Sequence, residues 1–293
     1  MATYIRLTDY RDSDSKEQGF FKSENRYEAK QDDFEKIPGS PIAYWVSDRV
    51  KEIFEKSEKL GEIAEPRQGM ATTDNQRFLR FWQEISFSKI GLGYSNRDDA
   101  SQSCLKWFPY NKGGEFKKWY GNNEYLVNYQ YDGKELKALV QNKYSNTSYA
   151  KDFSKEKWDK LIDVWVLKNK EFYFKEGITW SFISSSNFGV RYTPKGFLFD
   201  VGGSSTFPKK HEIFYITAFL TSNIAFNMLK IVAPTINFQV GDLKALPIIF
   251  PKQDSTKQQI DQLTQECIEI SKEEWDSRET SWDFTKNELL KHK

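Results

Sequence analysis

A dense run of aromatic and lysine side chains between residues 107 and 128, WFPYNKGGEFKKWYGNNEYLVN, is the first segment whose residue types suggest a chemistry. Flat aromatic faces alternate there with Lys112, Lys117 and Lys118, a combination that suits a polyanion carrying stackable rings. Gly113-Gly114 favours a tight turn, because glycine tolerates positive φ. We therefore predict a loop or hairpin that presents its side chains outward. The alternative is a β-hairpin whose rings lie in the core and whose lysines are merely solvated.

A second polar segment, residues 67–77, is rich in side-chain donors and acceptors and contains two arginines and a glycine. Thr73 followed three residues later by Gln76 is a capping-box pattern. It predicts a short helix that buries Phe78, Leu79 and Trp82. An ordinary capped turn explains the same pattern without any ligand.

Catalytic and cofactor motifs are scarce in the rest of the sequence. His211 and His292 have no partners at a metal-ligand or triad spacing. We find no phosphate-binding P-loop and no dinucleotide fingerprint. The triplets Glu115-x-Lys117 and Glu135-x-Lys137 are similar to the end of a nuclease motif, but they arise easily in a chain that is 29% charged. The segment 202–205, Gly-Gly-Ser-Ser, offers backbone N–H groups for a phosphate, although a plain turn is the simpler interpretation.

Charge and cysteine content narrow the class of protein further. The 293 residues carry 43 basic and 42 acidic side chains, so a nucleic-acid site must be a local patch and not a general coating of charge. The two cysteines, Cys104 and Cys267, lie far apart, which indicates a reduced, cytoplasmic protein. No apolar run approaches a membrane span. The length fits one large domain or two small ones.

The elements that must position these segments are predicted from periodicity and caps. Residues 1–41 suggest an irregular arm with one strand at residues 4–7. Ser40 and Pro41 then predict a helix start, and Gly61 a stop. Residues 125–207 suggest mainly β structure, and two helices follow, one predicted by the apolar spacing over about 213–220 and one from Ser222 to Val232. The remaining predicted strands are 125–128, 136–140, 165–167 paired with 171–174, 177–181, 190–192, 196–200 and 237–240. From about residue 256, Ile260, Leu263, Cys267 and Ile270 form a coiled-coil-like seam.

Several sequence blocks resemble one family, in one order. They are 68–78 (QGMATTDNQRF), 106–114 (KWFPYNKGG), 119–122 (WYGN), 177–181 (GITWS), 191–196 (RYTPKG), 237–242 (NFQVGD) and 274–284 (EWDSRETSWDF). Together they resemble the C-terminal part of the large adenine-specific DNA methyltransferases of bacteriophage-exclusion (BREX) systems, the PglX-like proteins. Those proteins are similar to single-chain type IIG restriction-modification enzymes. The resemblance covers most of residues 40–285.

The catalytic half of that family is missing from this sequence. Its Asn-Pro-Pro-Tyr type motif and its Gly-rich loop for S-adenosylmethionine do not occur here. The resemblance therefore implies a target-recognition region that is not an enzyme on its own and binds no cofactor, S-adenosylmethionine being expected only for the missing half. The implied partners are double-stranded DNA, the methyltransferase catalytic domain and other phage-defence subunits.

The resemblance also implies an α+β fold, with a mixed, β-rich target-recognition domain flanked by helices and followed by a C-terminal helical spacer. We expect an N-terminal arm and connecting helix at 1–61, the target-recognition domain at 62–250 and the spacer at 251–293.

In this context arginine and glutamine recognise base edges, whereas lysine and backbone N–H groups contact phosphates. We expect residues 67–77 to read bases and residues 112–120 to contact mainly phosphates. The expected DNA-binding residues are Arg67, Gln68, Thr72, Asn75, Arg77, Lys112, Lys117, Lys118, Trp119, Tyr120, Arg191 and Lys195.

Two other functions stay open at this stage. The Glu-x-Lys triplets could belong to a small metal-dependent nuclease. The acidic C-terminal helices could instead dock on a methyltransferase or another defence subunit, which would make the chain a protein-interaction module.

Overall fold

The computed structural model describes residues 1–183, 187–209 and 212–290. The strands are β1 Ala2–Ile5, β2 Arg26–Ala29, β3 Glu58–Lys59, β4 Ala64–Arg67, β5 Leu79–Phe81, β6 Trp107–Asn111, β7 Tyr125–Asn128, β8 Gly177–Trp180, β9 Val190–Thr193, β10 Leu198–Phe199, β11 Ser205–Pro208 and β12 Pro247–Ile248. The α-helices are α1 Ser13–Phe20, α2 Asp48–Lys56, α3 Leu60–Ile63, α4 Asn75–Phe78, α5 Arg97–Gln102, α6 Gln130–Tyr144, α7 Lys155–Trp165, α8 Ile213–Thr221, α9 Asn223–Val232, α10 Val240–Lys244 and α11 Asp254–Asp276.

Two four-stranded sheets organise these elements, with strand orders β10-β6-β7-β5 and β4-β11-β8-β9. Their pairs are antiparallel except β10 with β6, which run parallel with Leu198 opposite Tyr110. Two-stranded antiparallel pairs, β1 with β2 and β12 with β3, complete the set among the described residues. The predicted α+β class is confirmed.

Two hydrophobic clusters hold the sheets and helices together. The first packs sheet residues such as Phe108 and Val127 against Leu136 of α6 and Trp158 of α7. The second packs β8 and β9 against α2, α8, α9 and α10, and includes Trp180, whose indole N–H donates to the Phe238 carbonyl at 2.9 Å. A fully buried large side chain contributes about 1.5–3 kcal/mol, so each cluster is a substantial core. The proposed division at residues 61 and 250 stays a prediction.

Seven of the predicted elements appear close to their expected positions: β7, β8, β9, β10, α4, α8 and α9. Helix α4 is capped by Asp74, whose carboxylate accepts from the Arg77 N–H at 3.1 Å, and not by Thr73 as predicted. Helix α9 begins after Ser222, whose hydroxyl accepts from the Ala225 N–H at 3.1 Å, as an N-cap should. No single described helix is long and apolar enough to cross a membrane, while α8 and α9 pass that test only as a pair bent by 71°.

The N-terminal prediction of an irregular arm is wrong. β1 pairs with β2, and α1 between them is capped by Asp12, whose carboxylate accepts from the Ser15 N–H at 2.8 Å. The following helix, α2, begins at Asp48 and not at Pro41. Ser40 has φ +48° and closes a turn onto the Ile37 carbonyl, so it cannot start a helix there.

The middle of the chain is more helical than predicted. The strand expected at 136–140 is part of α6, and the hairpin expected around residues 165–174 is the end of α7 followed by a 3₁₀ turn at Lys170–Phe172. Apolar residues here recur at helical spacing, and Ser154 caps α7 by accepting from the Lys157 N–H. The strand expected at 237–240 reduces to one bridge, Asn237 with Ile183. Residues 184–186 of the preceding loop, and both histidines, lie outside the described residues.

Helix α11 confirms the predicted C-terminal helix but not its buried face. Thr264, Ile268 and Trp275 are buried, whereas Leu263 and Ile270 are more than half exposed. The true face is therefore rotated by about one residue from the predicted seam, and Leu263 does not pack into a buried contact. Lys257 connects α11 to the start of α8, because its ammonium lies 3.1 Å from Glu212. The same ammonium lies 2.8 Å from Asp261, one turn along α11.

Candidate nucleic-acid interface

The aromatic-lysine stretch forms a β-hairpin, with β6 and β7 joined by residues 112–124. Some of its rings lie in the core and others face solvent. Phe108, Tyr110 and Tyr120 are buried, as expected for a hairpin whose rings lie in the core, while Phe116 is 42% exposed. Burial raises the pKa of Tyr120 to about 12, and Lys272 of α11 lies 5.7 Å above its ring. Tyr120, one of the expected DNA-binding residues, therefore serves packing in this structure.

Asp200, at the end of β10, joins the hairpin to the 67–77 segment. Its carboxylate accepts hydrogen bonds from the Tyr110 hydroxyl at 2.8 Å and from the Lys112 ammonium at 2.6 Å. Its backbone carbonyl accepts from the Gly69 N–H at 3.3 Å. Asp200 was absent from the predicted site, because an acid after a short apolar strand gives no signal that a distant lysine pairs with it.

Gly69 allows the 67–77 segment to lie directly on β10. A Cβ atom at this position would stand 1.8 Å from the Phe199 carbonyl oxygen. The adjacent Met70 N–H donates to that same oxygen at 2.8 Å. The close backbone approach thus holds the segment against the β10 edge of the sheet, where Met70 forms a parallel bridge with Asp200.

The 202–205 segment is a turn, and its first N–H is already used. The Gly202 N–H donates to the Asp200 carboxylate at 2.6 Å. Gly203 packs so closely that a Cβ atom would stand 2.4 Å from the Asn111 carbonyl oxygen. Ser204 and Ser205 are buried. The phosphate-cradle interpretation is therefore not supported by this geometry.

A polar cleft of about 310 Å³, here called the central cleft, opens where the two predicted segments meet. Its lining residues are Ala71, Thr72, Thr73, Asn75, Lys112, Asp200 and Val201. Thr72 donates its hydroxyl hydrogen to the Asn75 side-chain oxygen. This orientation leaves the Asn75 amide nitrogen and the Lys112 ammonium as donors, whereas both Asp200 oxygens already accept internal bonds.

A second cleft, of about 230 Å³, continues from the first and shares Asn75 and Lys112 with it. Arg80, Phe81 and Tyr125 line its far side. The rings of Phe81 and Tyr125 lie 4.7 Å apart, and both are accessible. Arg80 and Phe81 were absent from the predicted site, although Arg80 falls only three residues after the predicted segment.

Arg67 and Gln68 line a separate cleft with Lys168 and Asn169. The Arg67 guanidinium forms an ion pair with Glu65 and lies 5.2 Å from the Phe172 ring centroid. Gln68 accepts from the Lys168 ammonium at 3.3 Å. Arg67 is therefore already engaged inside the protein, and Lys168 is an additional cation that no sequence motif singled out.

The remaining predicted cations differ in whether a carboxylate already neutralises them. Lys117 lies 3.9 Å from Glu274 of α11. Arg77, Lys118 and Lys195 make no ion pair within 4 Å among the residues that the structure describes. Arg77 and Lys195 are exposed, and Lys118 is half-buried. An unpaired cation loses less on binding a phosphate, since no internal partner must be given up.

Arg191 and Trp119 lie away from the central cleft. Arg191 is 1% exposed, and its Nη1 contacts the Ser181 hydroxyl at 3.3 Å. Burial lowers the pKa of its guanidinium to about 10. Trp119, with φ +69°, adds its backbone to the edge of β9. The expectation that Arg191 contacts DNA is wrong for this conformation, because its side chain does not reach the surface.

The Glu-x-Lys triplets do not form a common site. Glu135 accepts from Lys106 at 2.8 Å, and this bond lowers the pKa of its carboxyl group. Lys137 instead donates to Asp132 at 2.8 Å. Within the described ranges, no three His, Cys, Asp or Glu side chains are grouped so that they could hold a metal ion.

Charge is distributed unevenly along the chain. Residues 67–251, which contain all the clefts above, carry 25 basic and 17 acidic side chains. Residues 1–66 carry 11 basic and 15 acidic side chains, and residues 252–293 carry seven and ten. The nearly neutral total therefore conceals a basic centre between two acidic flanks.

Comparison with known proteins relates nearly the whole chain to a part of larger proteins. It is 38% identical over 299 aligned positions, 99% of this chain, to the adenine-specific methyltransferase PglX of Lacticaseibacillus casei (strain Zhang). It is 38% identical, over 90% of this chain, to the adenine-specific methyltransferase BrxX of Escherichia coli O9:H4 (strain HS). The chain spans only 23% and 19% of these two proteins. The matches fit a C-terminal region of a BREX methyltransferase, as the sequence blocks indicated.

No protein-family profile matches the chain. Among solved structures, the type IIG restriction endonuclease BpuSI aligns with 74% of this chain and 28% of its own, at 14% identity and a TM-score of 0.35.

Proposed function

We propose that this chain, a relative of one part of the adenine-specific methyltransferases PglX and BrxX, is a sequence-specific recognition module for duplex DNA. The observation that carries the proposal is the central cleft, where Thr72 and Asn75 of the one predicted segment meet Lys112 of the other. A separate catalytic domain would then carry out methyl transfer, with the Gly-rich S-adenosylmethionine loop and the Asn-Pro-Pro-Tyr type motif that do not occur in this sequence.

The cleft chemistry supports contact with base edges. The Asn75 amide nitrogen presents a hydrogen-bond donor beside Lys112, the expected phosphate contact, and Arg80 and Tyr125 extend the same surface. Donors of this kind are complementary to the acceptor atoms of a purine in the major groove. The basic centre of the chain supplies the attraction for phosphates that must accompany such contacts.

Salt dependence tests the phosphate contacts. We expect the full chain to bind a labelled duplex with an affinity, measured by fluorescence anisotropy, that falls steeply as salt rises. Each lysine–phosphate contact contributes about 0.9 to the slope of log K against log salt, or about 3.5-fold in affinity between 50 and 200 mM. Lys118→Ala should flatten the slope by about that amount. Lys117→Ala should change it less, because Glu274 already holds Lys117.

Selection from a random duplex library tests base reading. Asn75→Ala should relax the selected motif at one position, because it removes the amide donor that the Thr72 bond leaves free, with a loss of about 0.5–1.5 kcal/mol of discrimination for one hydrogen bond. Arg77→Ala tests the other exposed candidate in the same way, and Lys118→Ala is the control that should keep the motif. If wild type, Asn75→Ala and Arg77→Ala all return the same motif, the base-reading assignment is wrong.

Calorimetric titration of the chain with S-adenosylmethionine tests whether cofactor binding is confined to a separate catalytic domain. We expect no saturable binding, because the sequence lacks the glycine-rich cofactor loop. Co-purification of the chain with a separately expressed methyltransferase catalytic domain would support a partnership between this chain and that domain. Micromolar cofactor binding to this chain alone would contradict the proposal that catalysis lies elsewhere.

A further inference from the structure

The cleft that Arg67 and Gln68 share with Lys168 and Asn169 has a volume of about 450 Å³. We call it the β4 cleft, because it opens at the end of β4, and residues of α7 and α10 line it as well. Its volume lies within the range of about 300–1,000 Å³ that is usual for small-molecule sites. It shares no lining residue with the central cleft. The β4 cleft is therefore a separate candidate for a ligand.

Positive charge exceeds negative charge in the lining of the β4 cleft. The cations that line it are Arg67, Lys168 and Lys244. Glu65 already neutralises Arg67, and Lys170 already neutralises Asp163, the carboxylate among the lining residues. Lys168 and Lys244 make no ion pair within 4 Å among the residues that the structure describes. The charges of these two half-buried lysines therefore stay uncompensated.

Three different elements hold the cations in place before a ligand binds. Arg67 is the last residue of β4, which pairs with β11. The Lys168 ammonium donates to the Gln68 side-chain oxygen at 3.3 Å. The stem of Lys244 packs on α3, where a Cβ atom at Gly61 would stand 3.1 Å from the Lys244 Cβ. The arrangement of charge thus belongs to the fold and does not have to assemble around a ligand.

The two uncompensated charges indicate what kind of anion fits the β4 cleft. A phosphomonoester carries a charge of about −1.5 to −2 at pH 7, whereas each phosphate of a DNA strand carries a single negative charge. A concave surface lined by one sign of charge also concentrates its field on a small ligand. Pro66, Val164 and Val240 add apolar contacts that a bare phosphate ion would not use. The lining therefore fits a phosphate attached to a small organic group.

We propose that the β4 cleft binds a small phosphomonoester, such as a nucleoside or sugar monophosphate. The ammonium groups of Lys168 and Lys244 bind the phosphate oxygens, and the Arg67 guanidinium supports them from the end of β4. The organic group lies against the apolar side chains. This inference does not depend on DNA recognition, because the residues that line the central cleft take no part in it.

Calorimetric titration of the full chain with AMP and with glycerol 3-phosphate, at constant ionic strength, tests the inference. We expect saturable binding of at least one of them, and none of adenosine or glycerol, which lack the phosphate. Lys168→Ala and Lys244→Ala should each weaken binding by about tenfold, because each removes a charge-assisted hydrogen bond. Lys89→Ala is the matched control, since Lys89 is an exposed lysine that does not line the cleft.

Asp163→Asn separates ligand binding from a purely structural role of these side chains. It removes a carboxylate from the lining and frees Lys170, so it should tighten phosphate binding severalfold. Cyclic AMP, whose phosphodiester carries a single charge, should bind more weakly than AMP. At about a hundredfold excess over its dissociation constant, the bound probe should raise the melting temperature by about 5–10 °C.

Failure of both phosphate probes to bind would overturn the inference, and so would binding that Lys168→Ala and Lys244→Ala leave unchanged. Equal affinities for AMP and cyclic AMP would contradict the charge argument. If neither probe binds and the two lysine variants instead flatten the salt dependence of duplex binding, the β4 cleft contacts the DNA backbone and the inference is wrong. Each of these outcomes leaves the proposed reading of bases in the central cleft intact.

Discussion

Gly69→Ala tests how the 67–77 segment is seated on the sheet. The added methyl group would stand 1.8 Å from the Phe199 carbonyl oxygen and 2.7 Å from its ring, so the backbone must move. Overpacking of this kind costs about 1–3 kcal/mol. The shift would also weaken the hydrogen bonds from the Gly69 and Met70 N–H groups to β10, each worth about 1 kcal/mol. We expect an overall loss of about 2–4 kcal/mol in the free energy of unfolding.

Thermal and urea unfolding, followed by circular dichroism, measure this loss. For a chain of this size the melting temperature should fall by about 4–12 °C. Gly241→Ala is the matched control. Gly241 lies in α10, where an added Cβ atom would have no neighbouring atom within 4 Å, and alanine favours helix by up to about 1 kcal/mol.

Gly69→Ala should also affect DNA binding, and this effect separates the position of the 67–77 segment from the stability of the fold. Below its melting temperature, Gly69→Ala should displace Asn75 from Lys112 and lower the discrimination between DNA sequences more than the affinity for random duplex. If Gly69→Ala and Gly241→Ala unfold at the same temperature, the close approach of the segment to Phe199 is not real. The central cleft would then have to be assembled by other contacts.

Three further predictions concern α11, Asp132 and Lys112. Ile268→Ala should cost about 2–5 kcal/mol in urea unfolding, whereas Leu263→Ala should stay within about 0.5 kcal/mol, and equal costs would contradict the observed face of α11. Burial disfavours the charged form of Asp132, but hydrogen bonds from a lysine, a tyrosine and an arginine outweigh it and lower the pKa of this carboxyl group. Asp132→Asn should therefore be less stable than wild type at pH 7, and the difference should shrink as the pH falls below about 4, where the carboxyl group of the unfolded chain gains its proton, toward the lower pKa of folded Asp132; a constant difference would contradict the assignment. Asp200→Asn should release Lys112 and steepen the salt dependence of DNA binding by up to about 0.9, while lowering the melting temperature; an unchanged slope would show that Lys112 does not reach a phosphate.

The elements that the sequence predicted correctly are those whose signals are local. Ser222 and Pro234 mark the ends of α9, and the runs at β8 and β9 are short and contain β-branched and aromatic residues. Where tertiary contacts decide, prediction failed. The buried face of α11 is set by what α8 presents to it, and the apolar seam in the sequence lies one step away from that contact.

The sequence indicated the two segments that meet in the candidate site, but not the carboxylates that pair with their cations. The residue types of Asn75 and Lys112 suggested their roles, and the structure places both in one cleft. The partners that neutralise Arg67 and Lys117 lie outside the two predicted segments, so no pattern within those segments reveals them. The burial of Arg191 depends likewise on the sheet edge and on Trp119 beside it.

For the proposed DNA-binding function, the basic centre and acidic flanks would affect how quickly and how selectively the chain meets DNA. Beyond about 8 Å, the Debye length at physiological salt, DNA encounters a nearly neutral particle and is not drawn in from afar. At shorter range, collisions through acidic parts of the surface would be repelled, and those through the basic clefts would persist. Such a chain would form few long-lived complexes with non-cognate DNA. It would therefore locate a cognate site through many short-lived complexes, each formed in one preferred orientation.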